Sequence, residues 1–221
     1  NLFKGWNMMG ANFTWDSKGL DNAIGTNDDT WNIAMKDVGD LTGGALSLQV
    51  NGIGDGISDF LDDSIFFLSY AFSKTDPKGS HSVIVNPVTR AVDGRTEMLG
   101  SPNKETGTSI YTGVQVPGVM KGQRLGLEYN HGSKYWRSFT YGEDTLVGSK
   151  LAARGDAYEV YYILPIVGKN LTAQLSYIYI DYDYTGSDMF FGSTGTPMDV
   201  DITPGAVKTA QNVRASLRYR Y

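Results

Sequence analysis

Six charged side chains sit where their spacing could set an electric field. Arg214, Arg218 and Arg220 fall within the last ten residues, and Arg124, Glu128 and Glu159 lie further back. The arginines near the end are separated by four and two positions, and Arg124 and Glu128 by four. Even separations place side chains on one face of an extended strand. If strands of this kind enclosed a wide, wet passage, a basic stripe facing acidic residues would tune which ions enter. Around a narrow interior, the same residues would pair as a packed salt-bridge network.

Other chemistry finds less support. Asp55, Asp59, Asp62 and Asp63 do not follow the calcium-loop spacing and lack its terminal glutamate, so they read as a solvated acidic turn. The glycines of NGIGDG, from Asn51, do not match a dinucleotide fingerprint. His81 and His131 are far apart in a chain without cysteine, which gives no metal set and excludes disulfides and thiolate sites. Ser133 lies two residues from His131, yet no acid stands at a spacing that would complete a triad. The expectation is therefore no catalytic residue, no cofactor and no enzyme activity.

The elements that would carry the six charges are strands. In the final segment, Val213, Ala215, Leu217, Tyr219 and Tyr221 alternate with Asn212, Arg214, Ser216, Arg218 and Arg220. This period of two gives one apolar and one polar face. The ending resembles the terminal strand of a bacterial outer-membrane β-barrel, in which alternating apolar residues and a last aromatic (here Val213, Leu217, Tyr219 and Tyr221) form the signal read by the barrel-assembly machinery. The chain has 221 residues, 27 glycines and 14 tyrosines, and a mean hydropathy of −0.27. No apolar run approaches the roughly 18 residues of a membrane helix. A chain like this one crosses a bilayer only as a closed barrel, whose strands give alternate residues to water. The formal net charge of −5 gives no reason to expect nucleic acid.

Alternation of this kind recurs at 2–16, 44–51, 64–74, 108–116, 124–136, 157–167 and 171–184, which makes about eight strands with the last. Residues 30–37 read either as a short helix in a loop or as a strand extension. The connections 17–43, 75–107, 137–156 and 185–208 are long; 53–63, 117–122 and 167–170 are shorter. Long and short alternate, as in an antiparallel barrel with external loops and periplasmic turns. Trp15, Trp136, Tyr182 and Tyr184 fall toward the long-loop side, and Tyr219 and Tyr221 toward the short-turn side, in the pattern of two membrane-interface girdles.

Residues 131–150 (HGSKYWRSFTYGEDTLVGSK) and 177–187 (YIYIDYDYTGS) resemble an uncharacterised family of outer-membrane proteins from anaerobic, often metal-reducing, proteobacteria. The resemblance covers about residues 105–221, and the chain looks like the C-terminal, porin-like portion of longer members. It implies an outer-membrane barrel with no catalytic residues to carry over. The expectation is thus an all-β, antiparallel transmembrane barrel over 1–221, complete at about eight strands or part of a larger one. It would pass small polar solutes or ions, with the loops 75–107 and 137–156 narrowing its mouth. The alternative is a structural barrel, either closed and small or a sheath for a partner such as an electron-transfer cytochrome. The partners implied are the lipid bilayer, lipopolysaccharide and the assembly machinery, with a second copy or another envelope protein left open.

Overall fold

The computed structural model describes the backbone of residues 2–17, 29–52, 56–77, 81–85, 92–97, 99–138, 148–168, 170–186 and 196–220. Side chains are described from residue 39 onward within these stretches, except in 81–85 and 92–97. The strands are β1 (Leu2–Ser17), β2 (Asp29–Asn51), β3 (Ile65–Pro77), β4 (His81–Val85), β5 (Val92–Glu97), β6 (Thr106–Pro117), β7 (Arg124–Gly132), β8 (Gly155–Val167), β9 (Leu171–Tyr182) and β10 (Thr209–Tyr219). The described helix amounts to one turn, α1 (Asp59–Asp62), and a 3-10 turn at Lys150–Ala152. The chain is therefore all-β.

Eight strands form one antiparallel sheet in the order β1-β2-β3-β6-β7-β8-β9-β10, and β4 and β5 make a separate hairpin. Among the described residues, β1 and β10 pair on one side only, so the sheet is open between them. Sequential pairing sends every second connection to the same end. The strand ends at Ser17, Asp29, Pro77, Thr106, Gly132, Gly155, Tyr182 and Thr209 fall at one end of the sheet, and those at Asn51, Ile65, Pro117, Arg124, Val167 and Leu171 at the other.

Of the two readings of residues 30–37 the strand extension holds, because they pair in register with β1, where Trp31 lies opposite Trp15. The connection read over 17–43 is correspondingly shorter, since β2 begins at Asp29. The connection after β3 contains the β4–β5 pair, in which His81–Val85, with its β-branched Val83, Ile84 and Val85, pairs antiparallel with Val92–Glu97.

The register sorts the side chains into rows. Val50, Phe66, Val114, Leu127, Val160, Tyr177 and Val213 are successive partners from β2 to β10. That row is wholly apolar and spans ~29 Å at the usual strand spacing. Leu125, Tyr162 and Leu175 continue the face on one side of it, and Leu48, Leu68, Tyr129 and Tyr158 on the other. This outer face is open: Leu46 is 78% exposed, Val213 70% and Leu217 72%.

The opposite, inner face carries Gln49, Phe67, Gly113, Glu128, Glu159, Ile178 and Asn212 as partners in one row. Ser47 and Ser69 hydrogen-bond across it at 2.7 Å. Over β6 to β9 this polar face, not the apolar one, is covered by the protein's own chain, whereas its Ser47, Gln49, Arg214 and Arg218 are exposed. Its small apolar cluster is Ala153, Ala157, Ile178 and Ile180, with Tyr182 packed against it.

Candidate functional site

The site begins with a cross-strand pair. Pairing of β7 with β8 sets Glu128 directly opposite Glu159, both on the inner face. Opposed like charges destabilise a sheet unless a counter-charge reaches them. The counter-charge comes from the connection between those strands: the Lys150 ammonium is bonded to Glu128 Oε2 and to Glu159 Oε2. The Tyr111 hydroxyl, one strand away on β6, donates to the same oxygen of Glu128. The Tyr111 ring centroid is 5.5 Å from the ammonium, within reach of a cation–π attraction. The side chains of Lys150, Glu128 and Glu159 are only 10, 11 and 9% exposed. Burial opposes the lysine charge; the Glu128 carboxylate and the hydrogen bonds from both glutamates outweigh it and hold the Lys150 pKa above the ordinary lysine value.

Lys150 reaches this position because residues 133–138 and 148–154 fold onto the inner face instead of extending the strands. β7 stops at Gly132; Ser133 then accepts a hydrogen bond at its Oγ from the Thr108 N–H at 2.9 Å, while its own N–H donates to Thr108 O at 2.9 Å. Two glycines make room. A Cβ on Gly132 would stand 2.0 Å from Ala153 O, and one on Gly107 2.2 Å from the Tyr135 carbonyl. Anchors follow on both sides. The Asn130 amide accepts from Ser109 Oγ at 2.8 Å and donates to Lys150 O at 3.0 Å. The Trp136 indole N–H donates to Leu151 O at 2.8 Å. Arg154, 1% exposed, donates to Trp136 O at 3.0 Å and to Thr185 O at 2.8 Å.

Beside the triad lies a cavity of about 440 Å³, with Gln115, Tyr161, Gln174 and Arg214 in its wall. A Gln115–Tyr161 hydrogen bond of 2.9 Å spans two strands of that wall. An adjoining cavity of about 640 Å³ is lined by Thr172, Gln174, Arg218 and Arg220 among others. The inner face therefore grades from the carboxylate pair with its lysine toward arginines on β10. Arg124 lies elsewhere: at the end with short connections, its guanidinium donates to Asp63 O and stands 4.0 Å from Asp63 Oδ1. The acidic turn around α1 thus ties down Arg124, which leaves it outside the charge gradient.

The aromatic residues read as interface girdles divide. Tyr219 is exposed on the outer face, and Val213 and Leu217 share that face. Trp136, in contrast to the expectation, is 7% exposed and packs beneath residues 148–154, because the strand that would have carried it outward ends four residues earlier. Tyr182 likewise packs against the inner cluster of Ile178 and Ile180, having their strand parity. Tyr184 forms an isolated bridge with Asp199, and Lys134 stands 5.5 Å from its ring. The side chain of Trp15 and the whole of Tyr221 lie outside the described residues.

His131 has a carboxylate partner that the sequence did not reveal. Its Nδ1 lies 2.9 Å from Asp156 Oδ1, which also accepts from the Tyr129 hydroxyl at 2.7 Å. All three are on the outer face by register, whereas Ser133 Oγ is engaged by the Thr108 backbone. Lys150 and Arg154 were the inner-face groups missed. Their visible signal was the pair of glycines at 107 and 132, where the chain of residues 135 and 153 comes within the space a Cβ would take; Gly113 and Gly126 instead make room for the rings of Phe67 and Tyr161.

The fold and site define an all-β antiparallel protein with a charged, partly covered inner face and a bare apolar outer one. The chain belongs to the family described as Protein of unknown function (DUF3373), whose model matches residues 1–221. No curated protein and no solved structure matches it.

Proposed function

We infer that the protein is an outer-membrane β-barrel of porin-like type that passes small polar solutes or ions through its interior without covalent chemistry. One observation carries the reading: the row from Val50 to Val213 is apolar across seven strands and exposed or half-exposed throughout, while the polar inner face is the one the chain covers over β6 to β9. Water drives the opposite arrangement, and a bilayer drives this one. Strands β6, β8, β9 and β10 run 12, 13, 12 and 11 residues, close to the roughly 9–11 that span a membrane when tilted. Lipid leaves no strand edge unsatisfied, so the open edges at β1 and β10 must be paired in the membrane. With eight alternating strands β1 and β10 run in opposite directions, which suits antiparallel closure of one on the other. The alternation of Val213, Leu217 and Tyr219 suits a strand handed over by the assembly machinery, and the long connections would face lipopolysaccharide.

A second reading is supported by the inward-folded segment. Eight strands enclose little more than their own side chains, and residues 148–154 take up part of that space, as in a filled, structural barrel. Planar-bilayer recording separates the two. Stepwise openings of the intact protein are expected for the pore, and a heat-modifiable β-protein that stays silent would establish the filled barrel instead.

A further inference from the structure

We propose that Lys150 is a tethered counter-cation seated in a cation site made by Glu128 and Glu159, and that it is the residue setting charge selectivity in the interior. The proposal rests on the pore reading for its functional half. Its structural half stands on the register that opposes the two carboxylates and on the ammonium bonded to both.

The arrangement is that of a receptor for a primary ammonium. Two carboxylates supply charge-assisted acceptors, the Tyr111 ring supplies a π face at 5.5 Å, and the cavity of about 440 Å³ next to the pair gives access from the interior. The occupant comes from the chain itself, delivered by the 3-10 turn at Lys150–Ala152 and positioned by Asn130 through the Lys150 carbonyl. With both carboxylates ionised, one ammonium leaves a single negative charge on the triad. Removing it exposes two carboxylates to whatever cation passes, on the side of the cavity opposite in sign to Arg214. The interior then changes from a nearly balanced field to a cation-attracting one.

The test uses the intact protein reconstituted in planar bilayers, with a potassium chloride gradient across the membrane. Lys150→Ala is expected to raise the potassium-to-chloride permeability ratio several-fold, Lys150→Arg to leave it near the wild-type value, and Glu128→Gln with Glu159→Gln to shift it toward chloride. A conducting Lys150→Ala protein with an unchanged ratio would overturn the proposal while leaving the pore reading intact. Should Lys150→Ala not fold, as judged by heat-modifiable gel mobility, an unchanged ratio in the double glutamine variant overturns it equally. If the wild type is silent, the pore reading fails, and the site is then read by thermal unfolding of Lys150→Ala in detergent. Methylammonium chloride is expected to raise its midpoint well beyond sodium chloride at equal ionic strength, with the difference lost in the double glutamine background. Equal effects of the two salts would remove the cation site.

Discussion

Glu128 on β7 and Glu159 on β8 are direct register partners, and a single ammonium, that of Lys150, is bonded to both. The strand pairing creates the repulsion, and the connection between the same two strands returns to relieve it. The local chain thus stabilises an arrangement that the sheet alone would disfavour. The consequences can be measured.

Substituting Lys150 by Ala should lower stability by about 3 kcal/mol, the usual cost of removing one partner from a buried ion pair. The triple change Lys150→Ala, Glu128→Gln and Glu159→Gln should recover most of it. Urea unfolding of lipid-folded protein checks both. Because the folded-state pKa of Lys150 is raised, its contribution is fully present below the unfolded lysine value and is lost as pH rises through the folded one. The gap between wild type and Lys150→Ala should therefore hold steady from pH 8 to roughly 10.4 and shrink only above it.

Replacing Gly132 by Val should expel the inward-folded segment, since even a Cβ there would lie 2.0 Å from the Ala153 carbonyl oxygen. Limited proteolysis is expected to cut between residues 148 and 154 in this variant and to spare the wild type. Equal resistance in both proteins would show that the segment is not held against Gly132.

Trp136→Phe keeps an aromatic ring but removes the five-membered part of the indole with the N–H that bonds Leu151 O. A loss of at least about 1 kcal/mol is expected, the usual net value of such a bond, with the vacated volume adding to it. Faster amide exchange should appear in residues 148–154 and not in β9 or β10. Uniform exchange across the sheet would mean that Trp136 acts on global packing instead.

On the outer face, Leu127→Lys and Val160→Lys should each cost about 2–4 kcal/mol in bilayers, as for a cation facing lipid near the membrane midplane. On a water-facing sheet the same exposed positions would shift stability by no more than about 0.5 kcal/mol. Vesicle refolding yields distinguish these values directly.

Much of the sheet was legible because a strand with one apolar face writes its period into the sequence, as in Val213–Leu217 or Leu171–Tyr179. The alternation of long and short connections followed from the same reading. What escaped it depends on contacts between segments distant in sequence. Trp136 looked like the outer end of a strand, yet β7 turns inward at Ser133 because Thr108 bonds it there. Lys150 sat in a polar loop with nothing in its neighbours to mark it; only the register of β7 with β8, a relation across some thirty residues, brings two carboxylates to its ammonium. Residues 30–37 were ambiguous until β1 supplied a partner. Asp156 was missed as the neighbour of His131 for the same reason.

In a membrane-spanning barrel the outer face meets lipid and the inner face meets water, and β10 tests this most directly, since residues 213–218 are exposed on both faces. The chain has no cysteine, so single Cys substitutions along 213–218 carry one nitroxide each in reconstituted vesicles. Labels at 213, 215 and 217 are expected to collide chiefly with oxygen dissolved in the bilayer, and labels at 214, 216 and 218 with a water-soluble nickel chelate. Loss of that period of two, with the chelate reaching 213, 215 and 217 as readily as 214, 216 and 218, would contradict a membrane-spanning barrel.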